Sequence, residues 1–188
     1  MEIKPVNDRK AQLEQLLKES KIPVSVFPWS WLQTTDFFTA PASKGHHAAY
    51  PGGLFDHSLN VATVLVKLTA TGICSPWGRP ESPVIVGLLH DATKFGLYVS
   101  ETDPTTNRMY KINPNYKALD PVHGADSVAK LKEIMMLTEE EEACIRYHMG
   151  AYEVDDWDGY DKAIKAFPNV LWTHTADMYA SKLMEVDG

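Results

Sequence analysis

Residues 84–89 read Val-Ile-Val-Gly-Leu-Leu, and His90 and Asp91 follow at once within the stretch "GLLHDATKFG". A helix that is apolar on every face has to be packed on every side. The rest of the chain must therefore be built around this segment, and the imidazole and carboxylate at its end are drawn inside with it. Unpaired charge is costly there and calls for a partner or a metal. A helix is expected from about Pro83, acceptable in a first turn, to Lys94, with Gly96 as its stop.

The partners for this helix are also legible. Leu13, Leu16 and Leu17 give residues 8–20 one apolar face. In 23–53, aromatics mixed with Pro, Gly and Ser suggest short helical turns and an ordered loop able to wall a pocket. His57, Val61, Val64, Leu65 and Leu68 follow i, i+4, i+7, i+8, i+11, which puts His57 on the buried face of a helix over 54–71. Residues 97–112 read as a small hairpin around "DPTTN". Further helices are expected over about 121–136, starting near His123, from a Thr138/Glu141 capping box to near His148, over 161–167, and from Pro168 onward. In the last, Val170, His174, Asp177 and Ser181 share the inward face. The fold class is all-α, with a hairpin insertion near 97–112.

At 188 residues the chain suits one domain with a substantial core. The charged N-terminus lacks an apolar signal core, and no apolar run reaches membrane-spanning length, so a cytoplasmic protein without membrane partners is expected. Cys74 and Cys144 are isolated and read as free, buried thiols. The net charge of −7 argues against a duplex-binding surface. A phosphate substrate would then need cations concentrated at one place.

A His-Asp dipeptide alone is weak evidence, since a composition of seven His and 13 Asp yields about half an occurrence by chance. Placement carries more weight: His57, His90, Asp91 and Asp177 all fall on faces or ends aimed at the core. A shared divalent cation explains four such residues together, because imidazoles with carboxylates suit Mn, Fe, Zn or Ni. The two oxygens of Asp91 can also bridge two ions.

The order His57, His90-Asp91, Asp177 resembles the H…HD…D signature of the HD-domain superfamily of metal-dependent phosphohydrolases, over roughly residues 45–185. "YPGGLFDHSLNVA", "LLHDATKFG" and "HTADMYAS" resemble segments of that signature, with Thr93 where Gly is common. The resemblance implies a single helical HD domain over 1–188, with residues 1–44 packed on its core. It implies one metal on His57, His90, Asp91 and Asp177, and a second on His123, His148 and the bridging Asp91. Two divalent ions, from Mn, Fe, Ni, Co, Zn or Mg, would then generate a bridging hydroxide that cleaves a phosphoester. Asp91 and Lys94 would be the catalytic pair, with Lys94 reaching toward the phosphate. His46, His47, Arg108 and Arg146 are candidate substrate contacts, and His174 is a support behind the ligands. The expected substrate is a small phosphate ester, a nucleotide or a short oligonucleotide. The same ligand types also suit a mixed-valent di-iron oxygenase of this superfamily, or a non-catalytic nucleotide-sensing domain.

Overall fold

The computed structural model describes residues 4–23, 26–101, 109–150 and 156–185. Its elements are α1 (Val6–Glu19), α2 (Trp29–Leu32), α3 (Gly53–Ala70), α4 (Ser82–Leu89), β1 (Tyr98–Ser100), β2 (Tyr110–Ile112), α5 (His123–Lys132), α6 (Glu139–Arg146), α7 (Trp157–Ala166) and α8 (Asn169–Tyr179). A 3₁₀ turn, Ala92–Lys94, follows α4, and a π turn, Ala180–Met184, continues α8. This is the expected all-α architecture with a small antiparallel hairpin, in which Tyr98 pairs with Ile112 and Ser100 with Tyr110. The tip of the hairpin, including Arg108, lies outside the described residues. Among the described residues no helix is long and apolar enough to cross a membrane.

Every residue of α4 is buried, as its apolar run requires. Helix α3 lies against it so closely that a Cβ built on Gly87 would stand 2.3 Å from Ala62 Cα. Helices α5 and α6 meet in the same way, with a Cβ on Gly124 falling 2.1 Å from the Arg146 carbonyl oxygen. Backbone thus rests on backbone at both crossings. Glu141, fully buried, ties α4 to α6 at their starts. It closes the capping box with Thr138 and accepts from Arg79 Nε (2.8 Å), Arg79 Nη2 (2.7 Å) and Ser82 Oγ (2.8 Å). His90 and His148 meet beyond the other ends of the two helices, with ring centroids 4.8 Å apart. The helices therefore run side by side in the same direction.

Helix α1 buries Leu13 and Leu17 as expected, but also Arg9, whose guanidinium grips Asp56 with Nη2 at 2.9 Å and Nε at 3.2 Å. That pair pins α1 to the first turn of α3, one residue before His57. The aromatic segment packs Phe37 edge-on against Phe55 and Phe95, at 5.5 Å each. Cys74 and Cys144 are free and buried.

Three boundaries differ from expectation, each for a local reason. Helix α4 stops at Leu89 rather than Lys94, because Asp91 leaves the helical region (φ −97°, ψ 25°). Helix α5 starts at His123, as expected, but ends at Lys132 rather than near 136, and Thr138 already caps the next helix. Helix α7 begins at Trp157 rather than 161, because the Asp156 carboxylate caps it by accepting the Gly159 N–H at 2.9 Å. Tyr160 is buried, while Trp157 is half-exposed.

Gly87→Val would push a branched side chain into the α3 backbone. Overpacking of this kind should lower unfolding stability by about 2 kcal/mol or more, read as a reduced urea midpoint.

Candidate metal centre

The break at Asp91 makes the centre possible. On a regular helix, adjacent residues point about 100° apart. Here the chain tightens into a 3₁₀ turn, and the carboxylate of Asp91 swings to the same region as the His90 ring. Three other elements then converge on it: α3 brings His57, α5 brings His123 at its first residue, and the turn after α6 brings His148. Asp177 arrives from α8, and all of these side chains are buried except His123, which is a quarter exposed.

The two oxygens of Asp91 face different imidazoles. Oδ2 lies 3.4 Å from His90 Nε2, 3.6 Å from His57 Nε2 and 2.7 Å from Lys94 Nζ. Oδ1 lies 2.7 Å from His123 Nε2 and 3.5 Å from His148 Nε2. Asp177 Oδ1 completes the first group, 3.2 Å from His57 Nε2. Among the described residues, three triads place one ligand atom each within 4.8 Å of one another: His57–His90–Asp177, His90–Asp91–His148 and His47–His57–Glu185.

The outward nitrogens decide what the inward ones can do. His90 Nδ1 donates to the Gly87 carbonyl (2.9 Å) and His148 Nδ1 to the Ile145 carbonyl (2.6 Å), while His57 Nδ1 stands 3.1 Å from both oxygens of Glu185. A neutral imidazole donating at Nδ1 presents a lone pair at Nε2. With the three rings neutral, their lone pairs are turned on one another and on carboxylates. The Nε2 atoms of His57 and His90 are only 3.2 Å apart, and His148 Nε2 is buried without a hydrogen-bond partner. Converging acceptors of this kind suit a cation, and these buried His and Asp groups could hold one.

The electrostatics show a cluster that draws positive charge, as a proton on His57 where no cation takes its place. Burial pushes His57 toward the neutral form, but Asp177, Glu185 and Asp91 outweigh it and raise its pKa to about 9. Burial dominates at His90 and lowers its pKa. His148 is raised by Asp91 and Asp177 against its burial. For Asp91, burial is overcome by Lys94 and the surrounding histidines, which hold the carboxyl well below its usual range. Asp177 is lowered too, against its burial, by His57 above all.

Thr93, where the resemblance led one to expect Gly, fastens the ligand-bearing turn. Its Oγ1 donates to Asp126 Oδ2, and its N–H donates to Ser127 Oγ at 3.1 Å. Asp126 also accepts from Tyr116 Oη (2.8 Å) and from the Leu119 and Asp120 N–H groups. Since Asp126 lies one turn after His123 on α5, this network sets Asp91 and His123 relative to each other. His174 stands behind His148, its Nδ1 2.7 Å from the His148 carbonyl oxygen.

A cavity of about 180 Å³ opens over the cluster, lined in part by His47, Lys94, His123, Asp177, Met178 and Lys182. His47 reaches it, and burial beside His57 and Lys94 lowers its pKa to about 4. His46 is exposed, and Arg146 is exposed beside the Tyr147 ring; neither lines the cavity. Glu185 and Lys182 had not been singled out from sequence. At i+5 Lys182 lies well off the face of Asp177 on a regular helix, and at i+8 Glu185 lies about 80° round, at the edge of that face.

Residues 9–94 match the model of the TraI_2 family, described as "Putative helicase". The match covers somewhat under half of the chain; it includes His57, His90, Asp91 and Lys94, and stops before His123, His148 and Asp177. No curated protein and no solved structure matches the chain.

The shifts at His57 and His148 predict opposite pH trends with and without metal. A raised histidine pKa stabilises the fold fully below about pH 6.5, and that stability is lost as pH climbs through the folded value, near 9 for His57. His90 and His47, with lowered values, act only below 6.5 and do not enter this window. In chelator, the melting temperature should therefore fall between pH 6.5 and 9, by a loss on the order of 2–3 kcal/mol. The extra stability conferred by added Mn or Zn should grow over the same interval, because metal competes with the proton on His57.

Proposed function

We propose that this chain is a metal-dependent phosphohydrolase of the HD type acting on a nucleotide-type phosphoester. His57, His90, Asp91 and Asp177 would hold one divalent cation, and Asp91, His123 and His148 a second. The observation that carries this reading is the division of Asp91: one oxygen faces His57 and His90, the other His123 and His148. Two cations in such a site supply Lewis acidity that makes water a nucleophile at neutral pH and neutralises charge developing on the phosphoryl oxygens.

The remaining roles belong to the cavity residues. Lys94, 2.7 Å from Asp91 Oδ2, brings a fixed positive charge to the edge of the cluster, where it stabilises the phosphoryl group as charge builds. Its ammonium is held charged, since Asp91 raises its pKa against burial. His47 lines the same space, and its Nε2 is buried and without a hydrogen-bond partner. Lys182 lines the cavity, exposed and without an ion pair among the described residues, and is placed to meet a substrate oxygen.

The size of the cavity restricts what is recognised. About 180 Å³ is below the roughly 300–1,000 Å³ of pockets that enclose a whole ligand. It accommodates a phosphate with part of its sugar, and leaves the base over Met149 and Met178, each 43% exposed. Recognition then centres on the phosphate end and not on the identity of the base. The matched family description bears on a nucleic-acid or nucleotide connection. The 188 residues contain no G-x-x-x-x-G-K-[ST] motif, so they do not supply a P-loop motor.

Purified protein loaded with Mn, Fe, Ni, Co or Mg should release product from a panel of nucleotides, cyclic dinucleotides and short oligonucleotides, with less than about tenfold discrimination between bases. Asp91→Ala should abolish turnover and tight metal binding. Lys94→Met should lower kcat by about 10²–10³, whereas Lys182→Gln should raise KM about five- to tenfold with kcat little changed. Absence of hydrolysis across the whole panel with every metal would overturn the assignment. Oxygen uptake by the reduced iron form in its place would favour the oxygenase chemistry of the same ligand set.

A further inference from the structure

Helix α8 and its extension hold both nitrogens of one imidazole. Asp177 Oδ1 lies 3.2 Å from His57 Nε2, and eight residues later both oxygens of Glu185 lie 3.1 Å from His57 Nδ1. On an uninterrupted α-helix, residues eight apart share a broad face but stand about 80° apart around the axis. The wider π turn Ala180–Met184 narrows that offset. Its wider closure is visible in the Glu185 N–H, which donates to the Ala180 carbonyl five residues back at 3.1 Å. π turns of this kind occur often at functional sites. Glu185 is itself oriented, since Asn60 Nδ2, three residues after His57 on α3, donates to Oε1 at 3.0 Å. Its side chain is only 6% exposed.

We infer that Glu185 is a positioning residue for the metal centre: by accepting the Nδ1 proton of His57, it fixes that ring with the Nε2 lone pair directed at the cation. This rests on the metal-binding reading above and adds a residue to it. His90 and His148 are held by neutral backbone carbonyls, so His57 is the ring among these three whose outer partner carries a full charge. A carboxylate behind a ligating imidazole makes it a stronger donor, and removing such a partner typically costs 10- to 100-fold in metal affinity. The contact also accounts for the triad His47–His57–Glu185. A neutral imidazole has one lone pair, and a ring that donates Nδ1–H to Glu185 has only Nε2 left for an ion. The closeness of Glu185 to His57 is thus a hydrogen bond behind one centre and not a separate cation site.

The test compares wild type, Glu185→Ala, Glu185→Gln and Asn60→Ala, using Zn titration by calorimetry and the His57 Nδ1–H resonance by NMR, with and without Zn. In Glu185→Ala, Zn affinity is expected to fall 10- to 100-fold with unchanged stoichiometry, and the Nδ1–H, protected from exchange in wild type, to exchange with solvent. Glu185→Gln, which keeps an acceptor and loses the charge, should fall in between, and Asn60→Ala should weaken affinity a few-fold. Zn affinity in Glu185→Ala within twofold of wild type, or loss of one whole equivalent with the rest unchanged, would overturn the inference. The second result would make Glu185 a ligand. If Nδ1–H protection depends on Glu185 while wild type binds no divalent cation, Glu185 still positions His57, and the metal-dependent function is what fails.

Discussion

One buried carboxylate organises this molecule. Asp91 is 3% exposed, and removing a lone carboxylate from water costs several kcal/mol unless its environment answers the charge. The answer is drawn from three other helical elements: imidazoles at the ends of α5 and α6 and on the face of α3, together with the Lys94 ammonium three residues on. Each partner is held from behind by a contact of its own. The Arg9–Asp56 pair sets the start of α3, the Glu141 network sets α4 and α6, and Asp126 ties Thr93 to α5. These polar links lie deep in the fold, and their common effect is to bring four imidazoles to one carboxylate.

Much of this was legible in the sequence, for a simple reason. Helical spacing reveals faces, and the faces carrying His57 and Asp177 were readable because apolar residues recur around them at three- and four-residue intervals. The unbroken apolar run made the burial of α4 unavoidable, and Thr138 with Glu141 announced the start of α6. The all-α class with one hairpin followed from the same patterns.

What spacing does not reveal is where a helix changes its pitch or which ends meet. The early end of α4 depends on the backbone angles of Asp91, and an apolar run continues smoothly up to it. Glu185 stands about 80° round from Asp177 on a regular helix, and the π turn between them brings both carboxylates to His57. Arg9 goes unmarked by the amphipathic stripe of α1, which counts apolar side chains, because its burial depends on a carboxylate 47 residues away. Thr93 stood at a position that ligates nothing, and its role as a fastener depends on Asp126 across the fold. Arg146 had the right charge for a phosphate contact, but α6 leaves it beside Tyr147.

Two eight-residue helices, α4 and α6, both end at the cluster. Each C-terminus contributes roughly half a negative charge from its aligned peptide dipoles. Together with Asp91, Asp177 and Glu185 they draw positive charge to the site, and in the protein without a cation Lys94 and a proton on His57 supply it. On the proposed reading, divalent ions would take the place of that proton. Metal loading would then release protons, and site occupancy would follow pH as well as the supply of metal.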